Sequence, residues 1–272
     1  MSADHREERD YVRPELNFSR FEIRYMIDAE ARVELENVLK FYMTLDPNVC
    51  AERHNRYFVR SLYFDDDLYT NTYETSGAQI MRRKYRIRTY TDSVDEESPV
   101  FLEVKGRTEE MTYKRRAVLP RTIIRALEYG GCTLRGEFVK MAHKDPLFSS
   151  FNFDAKRMNL RPRLLVDYER RPYISAYSPD FRVTFDSALE LTVTDRLFDR
   201  TADCQRLFMP GYSVVEVKFR KKMPAWFMRL ICSYDLKPVA VSKYYKGMER
   251  TGLACKLVDD LQTRQSVKSN SL

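Results

Sequence analysis

Six segments of this chain alternate between apolar and ionised residues, and this pattern restricts the chain to a strand-rich fold. In KYRIRTY, for example, Lys84, Arg86 and Arg88 alternate with Tyr85 and Ile87. Successive side chains of a strand point to opposite faces, so each segment is predicted to be a strand with one apolar and one charged face. The six segments span 20–27, 84–90, 102–107, 112–119, 181–189 and 214–220.

The charged faces have two interpretations. An antiparallel sheet with one solvated face gives the same alternation, and that reading explains any one segment taken alone. Six segments together weaken it, because ordinary wet faces mix Thr, Ser and Gln with single charges. Lys84, Arg86 and Arg88 have no acid between them, and like charges on one face repel each other. An anion bound among these bases would remove that repulsion.

Closing the strands into a barrel would turn the apolar faces outward against helices and the charged faces inward. The sequence therefore predicts an α+β fold, an antiparallel β-barrel tunnel of about eight strands with a charged interior and helices packed on the outside. Arginine pairs bidentately with phosphate oxygens and lysine binds them as a point charge. Glu22, Glu103 and Glu216 are candidate ligands for Mg²⁺ or Mn²⁺, although each could instead neutralise a neighbouring base.

Helix signals are few, and the chain reads as one domain. Asp28 is predicted to cap a helix that runs to about Met43. Pro120 and Pro224 each open a further predicted helix, the first of which ends at Gly130. Two shorter helices are expected over 134–144 and 243–253, and a hairpin loop over 91–99. The domain is predicted to span 19–255, between a flexible N-terminal arm over 1–18 and a flexible C-terminal tail over 256–272.

Composition narrows the function classes. The chain has 47 Lys and Arg against 40 Asp and Glu, a net charge of +7 that suggests an anionic partner. Its eight glycines form no phosphate-binding loop motif, so phosphates would have to be bound by side chains. Three histidines and five cysteines without a CxxC pair disfavour a zinc site and fit a reducing compartment. With no secretory signal and no apolar stretch of roughly 18 residues, a cytoplasmic location without a membrane span is expected.

Eight segments in chain order resemble the strands of the vacuolar transporter chaperone (VTC) domain, the polyphosphate-polymerase branch of the triphosphate tunnel metalloenzymes. The resemblance covers residues 18–250, and the order of the segments is more specific than any one of them. It implies a tunnel that binds a nucleoside triphosphate and a growing polyphosphate chain. The segments are RFEIRYMI, VRSLYFD, KYRIRTY, LEVKGR, TYKRRAVL, RLLVDYERRP, VVEVKFR and SKYYKGM.

The resemblance also implies site residues, and the charged strand faces extend the set. The residues expected to act in catalysis are Arg86, Arg88, Arg170 and Lys243. Those expected to bind substrate phosphates are Arg24, Lys84, Lys105, Lys114, Tyr168, Arg182, Lys218 and Ser242. Those expected to hold the metal are Glu216, Glu103 and Glu22.

Two departures from the family qualify this. Arg24 stands where the family generally has lysine. The chain also lacks the phosphate-sensing domain and the membrane helices of the eukaryotic complex subunits, so export of product is not expected.

The predicted reaction transfers a phosphoryl group from ATP to the end of inorganic polyphosphate, giving ADP and a chain longer by one unit. The acceptor oxygen is already ionised, so no general base is needed, and the chain offers no evident Ser-His or Cys-His pair. One alternative is a triphosphatase, in which Glu22 or Glu103 would position water. Another is a non-catalytic polyanion-binding module, although nucleic acid is disfavoured because the stacking motifs of RNA-binding sheets are missing. The oligomeric state is left open.

Overall fold

The computed structural model describes residues 21–47, 49, 54–76, 81–94, 98–108, 111–120, 123–124, 138–141, 145–198, 204–206 and 211–253. Within them the strands are β1 Phe21–Ile27, β2 Met43–Leu45, β3 Tyr57–Asp65, β4 Met81–Thr89, β5 Phe101–Thr108, β6 Met111–Val118, β7 Arg161–Ser175, β8 Arg182–Thr192, β9 Cys204–Arg206 and β10 Ser213–Phe219. The helices are α1 Ala29–Leu39, α2 Thr70–Ser76, α3 Pro146–Met158, α4 Ala225–Ser233 and α5 Lys243–Arg250.

The ten strands form one antiparallel sheet in the order β1-β10-β8-β7-β3-β4-β5-β6, with β2 paired to β7 and β9 to β8. Among the described strands, no backbone pairing joins β1 to β6. Lys105 Nζ on β5 nevertheless lies 3.9 Å from a carboxylate oxygen of Glu22 on β1. The sheet therefore curls until its two ends approach each other across the charged side, which confirms the predicted tunnel-like α+β fold.

The apolar side of the sheet packs against helices. Phe151 of α3 makes edge-to-face contacts with Phe64 and Tyr85, both with ring centroids 5.1 Å apart. At the other end of the sheet, α1 and α4 pack against β1, β8 and β10 through residues such as Leu35 and Phe227, which are fully buried. Burying one such side chain contributes about 2 kcal/mol. This packing leaves the opposite, charged side of the sheet facing inward.

Helix α5 covers one end of the charged side. Tyr244 stacks on Tyr63 with ring centroids 4.9 Å apart, and Met248 packs in the same cluster. The close approach depends on Gly247, because a Cβ there would lie only 2.6 Å from the Leu164 Cδ2 atom. The first residue of α5, Lys243, is thereby held against the sheet.

Several predicted boundaries need correction or lie outside the described residues. Helix α1 ends at Leu39 rather than near Met43, because Met43 begins β2 and pairs with Ser175 of β7. The predicted hairpin loop over 91–99 does join the antiparallel strands β4 and β5. Of the helices predicted from Pro120 and over 134–144, only Ile123–Ile124 and residues 138–141 are described, and they include helical positions. The predicted arm over 1–18 and tail over 256–272 lie outside the described residues.

Candidate functional site

The charged face is a group of ionised side chains on the inward side of the sheet, together with Lys243 of α5. Strand alternation and the strand register place these residues together, because all of the strand residues project from the same face of the sheet. Its members are Glu22, Arg24, Lys84, Arg86, Arg88, Glu103, Lys105, Lys114, Arg170, Arg182, Asp186, Glu216, Lys218 and Lys243. Ten are cations and four are carboxylates, so the face carries a large positive excess that favours an anionic ligand.

Glu103 is the centre of one ion-pair group. Its carboxylate lies 2.7 Å from Arg86, 2.8 Å from the Lys114 ammonium and 3.9 Å from Arg88. Burial by itself would raise the pKa of Glu103, but the three cations outweigh it and lower the pKa to about 2. Glu103 is therefore ionised at neutral pH and anchors the arginines of β4.

Lys114 belongs to a row of three lysines in direct cross-strand register. Lys84 on β4 lies opposite Lys105 on β5, and Lys105 lies opposite Lys114 on β6. Burial, together with Arg86 and Arg88, lowers the pKa of Lys114 to about 8 against the opposing effect of Glu103. Like charges opposite each other destabilise a sheet, so this row is suited to a ligand that brings negative charge.

A second ion-pair group surrounds Asp186 and Glu216. Arg170 binds Asp186 with two hydrogen bonds, of 2.6 and 2.7 Å, and reaches Glu216 at 3.1 Å. Lys243 Nζ lies 2.6 Å from Asp186 and 3.1 Å from Glu216. Burial would raise the pKa of Glu216, but Lys243 and Arg170 hold it well below its ordinary value. Conversely, Asp186 and Glu216 raise the pKa of Lys243 against the effect of burial.

Three further predicted residues extend this group toward β1. Arg24 Nε lies 3.3 Å from Glu216 and also pairs with Glu22. Lys218 Nζ lies 3.4 Å from the other Glu216 oxygen. Glu216 therefore contacts cations from β1, β7, β10 and α5.

Tyr168 connects the two groups. Its hydroxyl accepts a hydrogen bond of 3.3 Å from Arg88, which belongs to the Glu103 group. Its ring lies 5.3 Å from the Arg170 guanidinium carbon and 5.0 Å from Lys243 Nζ, both in the second group. A cation held over an aromatic face is stabilised by the negative charge of that face. The two groups thus form one continuous site.

Three predicted residues lie at its margins. Arg182 is exposed and donates to the Pro179 carbonyl oxygen at 3.4 Å. Lys84 lies with its Nζ 5.6 Å from the centre of the Tyr244 ring. Ser242 caps α5, because its hydroxyl accepts a hydrogen bond from the backbone N–H of Tyr245 at 3.3 Å. Ser242 thus orients the helix turn that carries Lys243.

The sequence analysis missed three residues of the site. Asp186 is fully buried and pairs with two cations, whereas the sequence showed only one acid on a mixed polar strand face. Ser61 and Tyr63 of β3 accept hydrogen bonds of 3.0 Å from Arg88 and Arg86. The signal for these two was available, because they alternate along β3 with the outward-facing Leu62.

The carboxylates of the charged face are the groups that could bind a divalent cation such as Mg²⁺. Among the described residues, no cluster of three or more His, Cys, Asp or Glu side chains is arranged to hold a metal. Mg²⁺ commonly uses only one or two carboxylates and completes its shell with substrate phosphates and water. Glu216 and Glu22 lie on adjacent strands and both pair with Arg24, so they would provide such a set once a metal displaced part of the cations that contact Glu216.

Comparison with known proteins gives one family match and several distant structural likenesses. A family model described as the VTC domain matches residues 19–251. A Hippeastrum protein, described as a candidate adenylyl cyclase with a dominant triphosphatase activity, is 12% identical with a TM-score of 0.47, over 86% of this chain and 96% of that one. The PH1819 protein of Pyrococcus horikoshii OT3 is 11% identical with a TM-score of 0.42, over 85% and 99%. At this similarity neither structure indicates what this chain does.

Two other comparisons bear on the chain. No curated protein sequence matches it significantly. In the part of the chain that the structure describes, no helix has the length and apolar character needed to cross a membrane.

Proposed function

Because the chain belongs to the VTC domain family, we propose that it is a metal-dependent polyphosphate polymerase that transfers the γ-phosphate of ATP to the end of an inorganic polyphosphate chain. We propose that residues 19–255 form its catalytic domain. We also propose that the protein acts in the cytoplasm, which contains ATP. The observation that carries the proposal is the continuous lining of cations from the lysine row, through Arg86 and Arg88, to Arg170 and Lys243.

Such a lining addresses the main obstacle to joining two polyanions. Two unit charges about 4 Å apart repel by about 4 kcal/mol at an effective dielectric constant near 20. Arg170 and Lys243 remain charged because Asp186 and Glu216 stabilise their protonated forms. They would orient the transferred phosphoryl group and stabilise the charge that develops on its oxygens.

The acceptor needs only to be positioned. The terminal oxygen of a polyphosphate chain is ionised at neutral pH, so no residue has to remove a proton from it. Arg86 and Arg88 are held in place by Glu103, Ser61 and Tyr63, which fixes their guanidinium planes. Fixed donors of this kind would align the chain end with the γ-phosphate.

Glu216 and Glu22 would hold a divalent cation, Mn²⁺ or Mg²⁺. A divalent metal held there would supply positive charge that offsets the charge developing on the leaving nucleotide. We expect turnover to stop when EDTA removes the metal and to return with added Mn²⁺. A Glu216→Gln variant should need a higher Mn²⁺ concentration for half-maximal activity. The control Glu169→Gln, at a partly exposed acid that pairs with Arg56, should not.

The triphosphatase alternative differs only in the acceptor. It requires a carboxylate able to orient water, and Glu103 is engaged by three cations. Glu22 is more exposed and remains the candidate for that role. The same residues could also serve a binding module without catalysis.

Incubation of the protein with ATP and Mn²⁺ separates the three functions. A polymerase forms a long anionic polymer that a polyphosphatase degrades, in step with ADP. Release of orthophosphate without polymer would instead establish the triphosphatase. If Arg86→Ala and Glu216→Ala both leave ATP consumption unchanged, the binding module would be preferred.

A further inference from the structure

Three aromatic side chains form a collar at one end of the charged face. The collar consists of Tyr57, Tyr90 and Phe101, all half-buried. The Tyr57 and Tyr90 rings meet edge to face with centroids 5.7 Å apart, and Tyr90 meets Phe101 in the same way at 6.3 Å.

Strand alternation places the collar on the charged side of the sheet. Tyr57 is the first residue of β3 and shares a side with Tyr63, which accepts a hydrogen bond from Arg86. Phe101 is the first residue of β5 and shares a side with Glu103. The opposite ends of these strands carry residues close to α5, including Asp65, which binds Tyr244. The rings therefore lie at the strand ends away from Asp65, and Tyr57 and Tyr90 pack against one margin of the apolar cluster that includes Tyr244 and Met248 of α5.

The collar borders directly on the cations proposed to bind phosphate. Tyr57 lies opposite Arg170 in the β3–β7 register, and Phe101 lies opposite Arg88 in the β4–β5 register. The Arg116 guanidinium carbon lies 4.9 Å above the Phe101 ring and is exposed. A ligand that contacts these rings therefore lies next to Arg88 and Arg170 of the site.

The chemistry of the rings selects one part of the substrates. Partly exposed aromatic rings bind planar π-systems by stacking, with contributions from neighbouring arginines. A polyphosphate chain has no such group, whereas a nucleotide has a base. Burial raises the pKa of Tyr57 to about 12, so its hydroxyl adds no negative charge where a triphosphate would enter.

We propose that the collar of Tyr57, Tyr90 and Phe101 binds the nucleobase of the nucleoside triphosphate, with the triphosphate directed inward toward Arg88 and Arg170 and then Lys243. This inference rests on the proposed function, and it assigns the direction in which the nucleotide lies. The base occupies the collar, and the γ-phosphate points toward Lys243, the first residue of α5.

The test compares a ligand that has a base with one that lacks it. Binding of the β,γ-imido analogue of ATP and of inorganic tripolyphosphate is measured by calorimetry for the wild type, Tyr90→Leu and Tyr90→Phe. The leucine variant should weaken binding of the analogue about 5- to 150-fold, because stacking is worth about 1–3 kcal/mol per base. Its binding of tripolyphosphate should weaken less than about twofold. The phenylalanine variant retains the ring and should bind both as the wild type does.

A spectroscopic measurement gives a second readout. A Tyr90→Trp variant places an indole in the collar, while the single native tryptophan, Trp226, stacks on Tyr42 on the apolar side of the sheet. Binding of the analogue should quench the added fluorescence, and tripolyphosphate should not.

The outcomes separate the two proposals. If Tyr90→Leu weakens both ligands equally or neither, or if the added indole responds equally to both, the collar is not a base site, although the proposed function stands. If the wild type binds neither ligand, both proposals are wrong.

Discussion

Lys243 places its ammonium nitrogen 2.6 Å from a carboxylate oxygen of Asp186. The lysine is the first residue of α5, whereas Asp186 is a fully buried residue of β8. Both groups contact Glu216 or its partner Arg170 as well. One ion pair therefore joins the helix at the end of the charged face to the strands that form its wall.

Replacing the buried Asp186 carboxylate should release Arg170 and Lys243 from the positions in which it holds them. In Asp186→Asn, Arg170 loses its bidentate partner. We expect kcat for ATP consumption to fall about 10- to 100-fold, because Arg170 and Lys243 would no longer be held in position for the reaction. The free energy of unfolding should fall by about 3 kcal/mol, because two cations lose their partner. Steady-state kinetics and urea denaturation measure the two effects.

Asp167→Asn is the matched control. Asp167 holds Arg60 at 2.6 Å, also with two hydrogen-bonding nitrogens, but on the outer side of β7. It should lose stability and keep its kcat. An equal loss of kcat in both variants would show that Asp186 acts only through stability.

The contact that anchors α5 should affect catalysis through Lys243. Tyr244 donates a hydrogen bond to the buried Asp65, and Tyr244→Phe removes it while keeping the ring on Tyr63. We expect a loss of about 1–2 kcal/mol in unfolding free energy. We also expect a several-fold fall in kcat, because the first turn of α5 is less firmly held.

Tyr85→Phe tests whether this effect is specific. Tyr85 donates to Asp154 at 2.7 Å on the apolar side of the sheet, away from the charged face. Its variant should lose similar stability without a change in kcat. If melting temperature and kcat fall in parallel in both, the anchoring role is wrong.

Phosphate binding should weaken as the pH rises above about 8. Burial, Arg86 and Arg88 lower the pKa of Lys114 to about 8, so the lysine of the free protein loses its charge above that pH. Calorimetry with tripolyphosphate between pH 7 and 9 should show this loss for the wild type. Lys114→Arg should remove part of the dependence, because arginine stays protonated. Identical profiles for the two proteins would contradict the assignment.

Stability should fall in acid through Glu103. Its pKa lies at about 2 in the folded chain, below the ordinary value near 4.5, so its contribution is present above pH 4.5 and is lost as the pH falls toward 2. The full contribution is about 3 kcal/mol. Urea denaturation from pH 6 to pH 3 should show a shallower decline for Glu103→Gln. Glu169→Gln, which removes a partly exposed acid, should keep the slope of the wild type.

The alternation of residues was enough to predict which side chains share a face. Arg86, Arg88, Glu103 and Lys114 come together as expected, because strand geometry fixes the side on which each lies. The pairing of acids with bases was not predictable in the same way. Lys105 reaches Glu22 only because the sheet curls, and that curvature has no local signal in the sequence.

Residues whose role depends on strand order were missed. Asp186 becomes central because β8 lies between β7 and β10, which brings Arg170 and Glu216 to either side of it. Helix α2 was missed for a similar reason. Its sequence, TNTYETS, has no apolar face, and its start depends on Asp66 and Asp65, which accept hydrogen bonds from the N–H groups of Thr70 and Asn71.

The four carboxylates of the charged face each pair with two or more of its cations. The carboxylates of the face thus act as counter-ions for its own cations. If the face binds phosphate as proposed, an entering phosphate would take a donor from a carboxylate and return it on leaving, so each contact would be an exchange with a small net gain. A long anion held by such exchanges would be able to move forward one unit at a time, because no single contact would bind it strongly.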